Sequence, residues 1–217
     1  MAMSVLCCFA LPEEAAPFRK LAAGRPGVAI LVSGIGRRNA ATAVRAFLAA
    51  NAPALVLTCG FAGGLNPALK LGEVVVELGP RADPPTVACY HRLADAGAQP
   101  AKFHCTDRIA TTATEKRQLR RETGADAVEM ESAAIHEVCR ERGVGCVTAR
   151  VISDAADEDL PLDFNALAKP DQSLDYGKLA WTIAKSPWKI GALLTLRRNT
   201  HRAAQALAAA LARAIFP

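Results

Sequence analysis

The sequence predicts an α/β protein in which a largely parallel sheet is covered by helices, and three observations lead there. Short, continuously apolar runs alternate with segments whose apolar residues recur at helical spacing. Several of the runs are rich in valine, as strands buried on both faces are. The runs end at glycine-bearing turns, where an open α/β sheet gathers its ligands.

The elements follow in order. Ser4 to Ala10 reads as a first strand, and Pro12, with Glu13 and Glu14 in its first turn, opens a helix through Leu21. Val28 to Ser33 is a second strand, closed by Gly34-Ile35-Gly36, and Asn39 to Ala50 a second helix. Ala54 to Cys59 and Gly72 to Leu78 are further strands, the first followed by Gly60, Gly63 and Gly64. The stretch Gly79 to Pro100 reads as turns around a short strand at Thr86 to Tyr90, and Phe103 to Thr111 as another strand. Thr114 to Glu122 is a charged helix, Ala127 to Met130 a short apolar segment, Ser132 to Arg142 a helix and Gly145 to Ile152 the last strong strand. Beyond it come a loop, an interfacial-looking segment and an Ala/Leu helix from about Asn199 to Phe216. With 217 residues and no internal repeat, one domain spanning 1–217 is expected, its C-terminal segment diverging in character from about residue 160.

Composition narrows the function. The chain is 51% hydrophobic and only 5% aromatic, which supports a core of Ala, Val, Leu and Ile but offers little for base-stacking platforms, so nucleic-acid binding is not expected. The net charge of +5 is carried by the tail, because seven Lys and Arg and no acid follow Asp175. Leu179 to Leu196 is broken by Lys185, Pro187 and Lys189 and does not span a bilayer. Trp181, Ile183, Trp188, Ile190, Leu193 and Leu194 interleaved with lysines suit weak contact with a membrane surface, a lid or an oligomer contact. Seven cysteines without CxxC spacing and a start lacking a basic n-region point to a reduced, cytoplasmic setting. The four histidines lack ligand spacing, so neither a metal site nor a Ser-His-Asp triad is expected.

Chemistry is expected where strands end. Gly34 and Gly36 lie in a strand-to-helix turn able to cradle an anion, with Arg37 and Arg38 beside it, although the third glycine of a dinucleotide fingerprint is missing. Gly60 and Gly63, flanking Phe61, allow close approach of a ligand or simply make a turn. Glu129 and Glu131 bracket Met130 at i, i+2 and are expected on opposite sides unless the backbone bends. Arg150 lies inside a buried run and needs a carboxylate such as Glu14 or Glu129; Ser153 and Asp154 follow it.

Taken together, SGIGRRNAA, TCGFAGGLNPALKLGEVVV, AVEMESAAIHEVCRERGV and ARVISDAAD resemble the purine and uridine phosphorylase family, nearest its methylthioadenosine/S-adenosylhomocysteine nucleosidase branch. The resemblance covers about residues 4 to 158 and implies a three-layer α/β/α sandwich around a mixed, partly barrel-like sheet, usually a homo-oligomer. It implies cleavage of the N-glycosidic bond of a purine, adenine-type nucleoside without a cofactor. Glu131 then matches the acceptor for the ribose hydroxyls, with Met130, Glu129, Ser153, Phe61 and Gly60 around the substrate. Asp154 matches the acid that assists departure of the base, Glu14 the base that activates water, and Arg150 the residue that orients it. Phe61 stands where nucleosidases commonly carry a small hydroxyl residue.

Two enzymatic readings differ in the nucleophile. A phosphorylase needs inorganic phosphate as co-substrate at Gly34, Gly36 and Arg37, and one variant of this reading takes a lipid-linked adenosyl substrate. A glutamate at position 14 repels phosphate but activates water, which favours hydrolysis. A non-catalytic nucleoside-binding module is the third reading.

Overall fold

In a computed structural model of the protein, residues 5–81, 83–169 and 175–216 are described. Ser4, the expected start of the first strand, lies outside them. Eight strands form one sheet, with β1 (Val5–Phe9), β2 (Val28–Val32), β3 (Leu55–Gly64), β4 (Val74–Leu78), β5 (Gln99–Pro100) and β8 (Gly145–Asp154) in the order β2-β1-β3-β8-β4-β5. β6 (Phe103–Cys105) and β7 (Ala127–Glu129) lie off this path, β7 pairing with the far end of β3. The pairs β1/β2, β1/β3, β3/β8, β4/β5 and β6/β7 are parallel, while β3/β7 and β4/β8 are antiparallel. The sheet is therefore mixed and mostly parallel, as expected.

Period-2 alternation sorts the core. Cys7 and Phe9 of β1 join Leu55, Leu57 and Val147 beneath α1 (Pro12–Ala22), α3 (Pro84–Asp95) and α7 (Ile190–Ile215). Leu6 and Cys8 join Val56 and Cys146 beneath α2 (Arg37–Ala50) and α5 (Ser132–Arg142) on the opposite face. All ten residues of β8 are buried, the polar Thr148, Arg150, Ser153 and Asp154 among them. All seven cysteines are free thiols, six of them buried as small apolar side chains.

Three sequence expectations change. Thr86–Tyr90 is not a strand: it lies within α3, started by Pro84 and Pro85 and by the Asp83 side chain, which accepts the Thr86 N–H at 3.2 Å. The expected strand Phe103 to Thr111 stops at Cys105. The segment before Asn199 is helical, forming α6 (Tyr176–Lys185), a 3-10 turn at Pro187–Lys189 and the first half of α7. α4 (Ala113–Thr123) completes the helices and comes close to the end of β8.

Candidate active site

Four strand ends bring the acidic residues together. Glu14, in the first turn of α1, turns back on its own helix start: one carboxylate oxygen accepts the N–H groups of Ala10 and Leu11, both at 2.9 Å. The other oxygen accepts the Phe61 N–H at 2.8 Å across from β3. Burial raises its pKa, helped by the charge of Glu131, and Arg150 and the N–H groups of Phe61 and Leu11 only partly offset this, leaving it at about 7.

Gly60 makes that approach possible. A Cβ there would sit 2.7 Å from both a Glu14 oxygen and an Arg150 nitrogen, and its φ of +144° excludes ordinary side chains. In a regular strand Gly60 and Gly63 would face opposite ways. The β-bulge between Ala62 and Gly63 resets the alternation, so that Gly63 lies 3.2 Å, measured from a notional Cβ, from Asp154 Oδ2. Two acids, one at each end of this glycine stretch, are thus served by a single strand, roughly 10 Å apart along it.

Arg150, buried on β8, donates to Glu129 at 2.7 Å and to Thr58 Oγ1 at 3.0 Å, and lies 3.3 Å from Glu131. Burial works against its charge, but Glu129, Glu131 and Glu14 together raise its pKa. Of the two carboxylates expected to meet it, Glu129 makes the ion pair; Glu14 acts on it only through its charge. Glu129 and Glu131 do not point apart, because the chain leaves β7 at Glu129 and turns at Glu131, which caps α5 with φ −127° and ψ −32°.

Glu129 is fully engaged: besides Arg150 it accepts the N–H groups of Glu131 and Ser132 and the Ser132 hydroxyl, at 2.9, 2.7 and 2.6 Å. Burial raises its pKa, but Arg150 and these donors outweigh it and the net shift is downward. It fixes the turn. Glu131 meets the N–H groups of Gly36, at 2.8 Å, and Met130, and lies 3.3 Å from Arg150; burial pushes its pKa up. Met130 between them is half-buried.

In the turn after β2 both glycine N–H groups are taken. The Gly34 N–H donates to Ala10 O at 3.1 Å and the Gly36 N–H to Glu131. Arg37 is exposed and directed away, bonded to the Cys105 carbonyl and 3.3 Å from Asp107, where it lines a polar cavity of about 500 Å³. Arg38 is exposed as well. Phe61 borders a larger cavity of about 800 Å³ between α1 and α7, walled by Pro17, Leu194, Arg197 and His201.

At the other end, Asp154 accepts the Ser153 hydroxyl at 2.7 Å and forms an ion pair of 2.5 Å with Lys116. Lys116 is completely buried, although it stands in a helix whose sequence reads simply as charged. Its signal was there: Ala113 and Lys116 fall on the same face at i, i+3, with Leu119 continuing it. Among the described residues no three of His, Cys, Asp and Glu stand together as a metal site would require.

Comparison with known proteins fits this geometry. Residues 12–77 and 88–177, well over half the chain, match the sequence pattern of the phosphorylase superfamily. The chain belongs to that family. Within the phosphorylase superfamily, 166 residues are 30% identical to the 5'-methylthioadenosine/S-adenosylhomocysteine nucleosidase of Glaesserella parasuis serovar 5, covering 64% of this chain and 72% of that protein. The fold is similar to that of futalosine hydrolase from Helicobacter pylori, with a TM-score of 0.72 and 18% identity over 99% of this chain and 98% of that one. It is also similar to that of the Neisseria meningitidis methylthioadenosine/S-adenosylhomocysteine nucleosidase bound to methylthio-immucillin-A, with a TM-score of 0.69 and 20% identity over 98% of both chains. Glu14, Glu131, Arg150 and Asp154 all lie within the matched segments.

Proposed function

We propose that this protein hydrolyses the N-glycosidic bond of a purine, adenine-type nucleoside. The observation that carries the reading is the state of the turn after β2: the N–H groups of Gly34 and Gly36 are already bonded within the protein, and the nearest arginine, Arg37, is drawn away. A phosphate dianion would find these two glycine N–H groups already taken. The 30% identical nucleosidase supports the same reading.

The roles follow from the contacts. Glu14, with its pKa at about 7, takes a proton from water as the oxygen attacks the anomeric carbon. Glu131, with one oxygen only loosely engaged, accepts the ribose hydroxyls, and Met130 packs beside the sugar. Asp154 gives a proton to the departing base. Arg150 and Glu129 act one step back, holding Glu131 in place. Purified protein incubated with methylthioadenosine, S-adenosylhomocysteine, adenosine, inosine and uridine is expected to release adenine and free sugar from adenine nucleosides in phosphate-free buffer. Release only with phosphate, yielding sugar 1-phosphate, would overturn the reading.

A second reading concerns the tail. Trp181 and Trp188 are 65% and 74% exposed, and Ile190 and Leu194 are exposed among Lys185, Lys189, Arg197 and Arg198. Among the described residues no helix is long and apolar enough to cross a membrane. We infer that this stretch rests on an anionic bilayer surface, where tryptophan and lysine side chains are favoured. Trp181→Ser/Trp188→Ser is expected to lower cosedimentation with vesicles containing anionic phospholipid severalfold at low salt; unchanged binding would refute the contact.

A further inference from the structure

The cavity of about 800 Å³ between α1 and α7 has no part in the proposed chemistry, although its size falls within the roughly 300–1,000 Å³ of small-molecule sites. Its walls are one face of each helix. Glu13, Pro17 and Lys20 recur at i, i+4 and i+7 on α1, and Leu194, Arg198 and His201 do the same on α7. Apolar and cationic side chains therefore alternate along the groove. Two leucines of the wall are left in water, Leu21 at 45% and Leu194 at 59% exposure. Beside them stand Lys20, Arg197 and Arg198, which among the described residues make no ion pair and no side-chain hydrogen bond. Elsewhere on the surface Arg45, Arg108, Arg120 and Arg140 each meet a carboxylate.

The two features select a ligand only together. An inorganic anion would answer the cations and leave the leucines wet, and a neutral hydrocarbon would cover the leucines and leave the cations unpaired. We propose that the groove binds a fatty carboxylate, its chain laid over Pro17 and Leu194 and its head held by Arg197 and Arg198. Guanidinium forks match the planar carboxylate and give up water more readily than an ammonium does. Glu13 is the one acid in the described wall, so the net charge there favours an anion. Of the residues assigned to the nucleoside only Phe61 borders the groove, which makes this a site beside the nucleoside pocket and not part of it. Phe61 also donates its N–H to Glu14, so the bound chain abuts the residue that orients the base. The inference does not rest on the bilayer contact, because Trp181 and Trp188 lie outside the groove wall.

The test is calorimetric titration of the full chain, without lipid, with decanoate kept below micelle formation. Decanoate is expected to bind one per chain, with decanol and acetate each weaker by about tenfold or more, since one lacks the head and the other the chain. Arg197→Gln/Arg198→Gln is expected to weaken decanoate about tenfold or more, and Leu194→Gln severalfold. All three positions are exposed, so the variants should melt as the wild type does. Trp181→Ser/Trp188→Ser should bind decanoate within about twofold of wild type. Decanol binding as tightly as decanoate, or an arginine double variant within twofold of wild type, would overturn the proposal. Loss of decanoate binding in the tryptophan double variant would overturn it too, by placing the chain on the tail and not in the groove.

Discussion

Glu14 follows β1 and Asp154 ends β8, on either side of β3, and both are largely withdrawn from solvent, yet they are held by different means. Glu14 receives three main-chain N–H groups and, among the described residues, has no cation within ion-pairing distance. Asp154 has a lysine ammonium at 2.5 Å. Neutral donors orient a carboxylate while leaving much of its burial cost in place, which is how Glu14 comes to hold a proton up to about pH 7. The same functional group is thus held by neutral main-chain donors at one end of the site and by a lysine at the other.

The largest effect that sharpens this contrast is expected where a cation does serve the Glu14 end. Arg150→Met leaves Glu129 and Glu131 buried without their ion pair, a loss of about 3–5 kcal/mol in unfolding free energy measured by urea titration. A loss below about 1 kcal/mol would mean that the main-chain donors hold those carboxylates unaided.

A smaller effect isolates Glu14 by pH. Its folded pKa of about 7 lies above the ordinary 4.5, so its contribution to stability is fully present below about pH 4.5 and is lost as pH rises through 7. Glu14→Gln cannot titrate, so between pH 4 and pH 8 the difference in unfolding free energy should move in its favour by about 3 kcal/mol. The sign for activity is opposite, because the base works only when ionised: base release by the wild type should fall about tenfold per unit below pH 7. A stability difference that is flat with pH would break the comparison.

Much of the frame was legible in the sequence because continuous apolar runs leave an unmistakable record: β1, β2, β3 and β8 lie at them, with a glycine turn after β2, although β3 runs on through Gly60, Gly63 and Gly64 instead of ending at Cys59. The acidic residues were legible as strand-end groups, helped by the family resemblance. What the sequence hid depended on tertiary contacts. α3 was obscured because Thr86, Val87, Cys89 and Tyr90 suit a strand, although Asp83 and two prolines announced a helix start. The turn that swings Glu129 and Glu131 to one side depends on Glu129 accepting main-chain donors, which alternation alone does not show. Lys116 was hidden most completely: in TEKRQLRRET it is one charge among many, and only the carbonyls of residues 155–158 make it an interior group.

The occupied amides of Gly34 and Gly36 also bear on the direction in which the reaction runs. Transfer of a sugar to phosphate conserves the energy of the glycosidic bond in an activated carbon, so such an enzyme equilibrates its substrates and can rebuild the nucleoside. Transfer to water, the chemistry proposed for this site, discards that energy. On the proposed chemistry the protein would act as a drain for its nucleoside, its throughput indifferent to the phosphate status of the cell and not reversed by accumulation of free base.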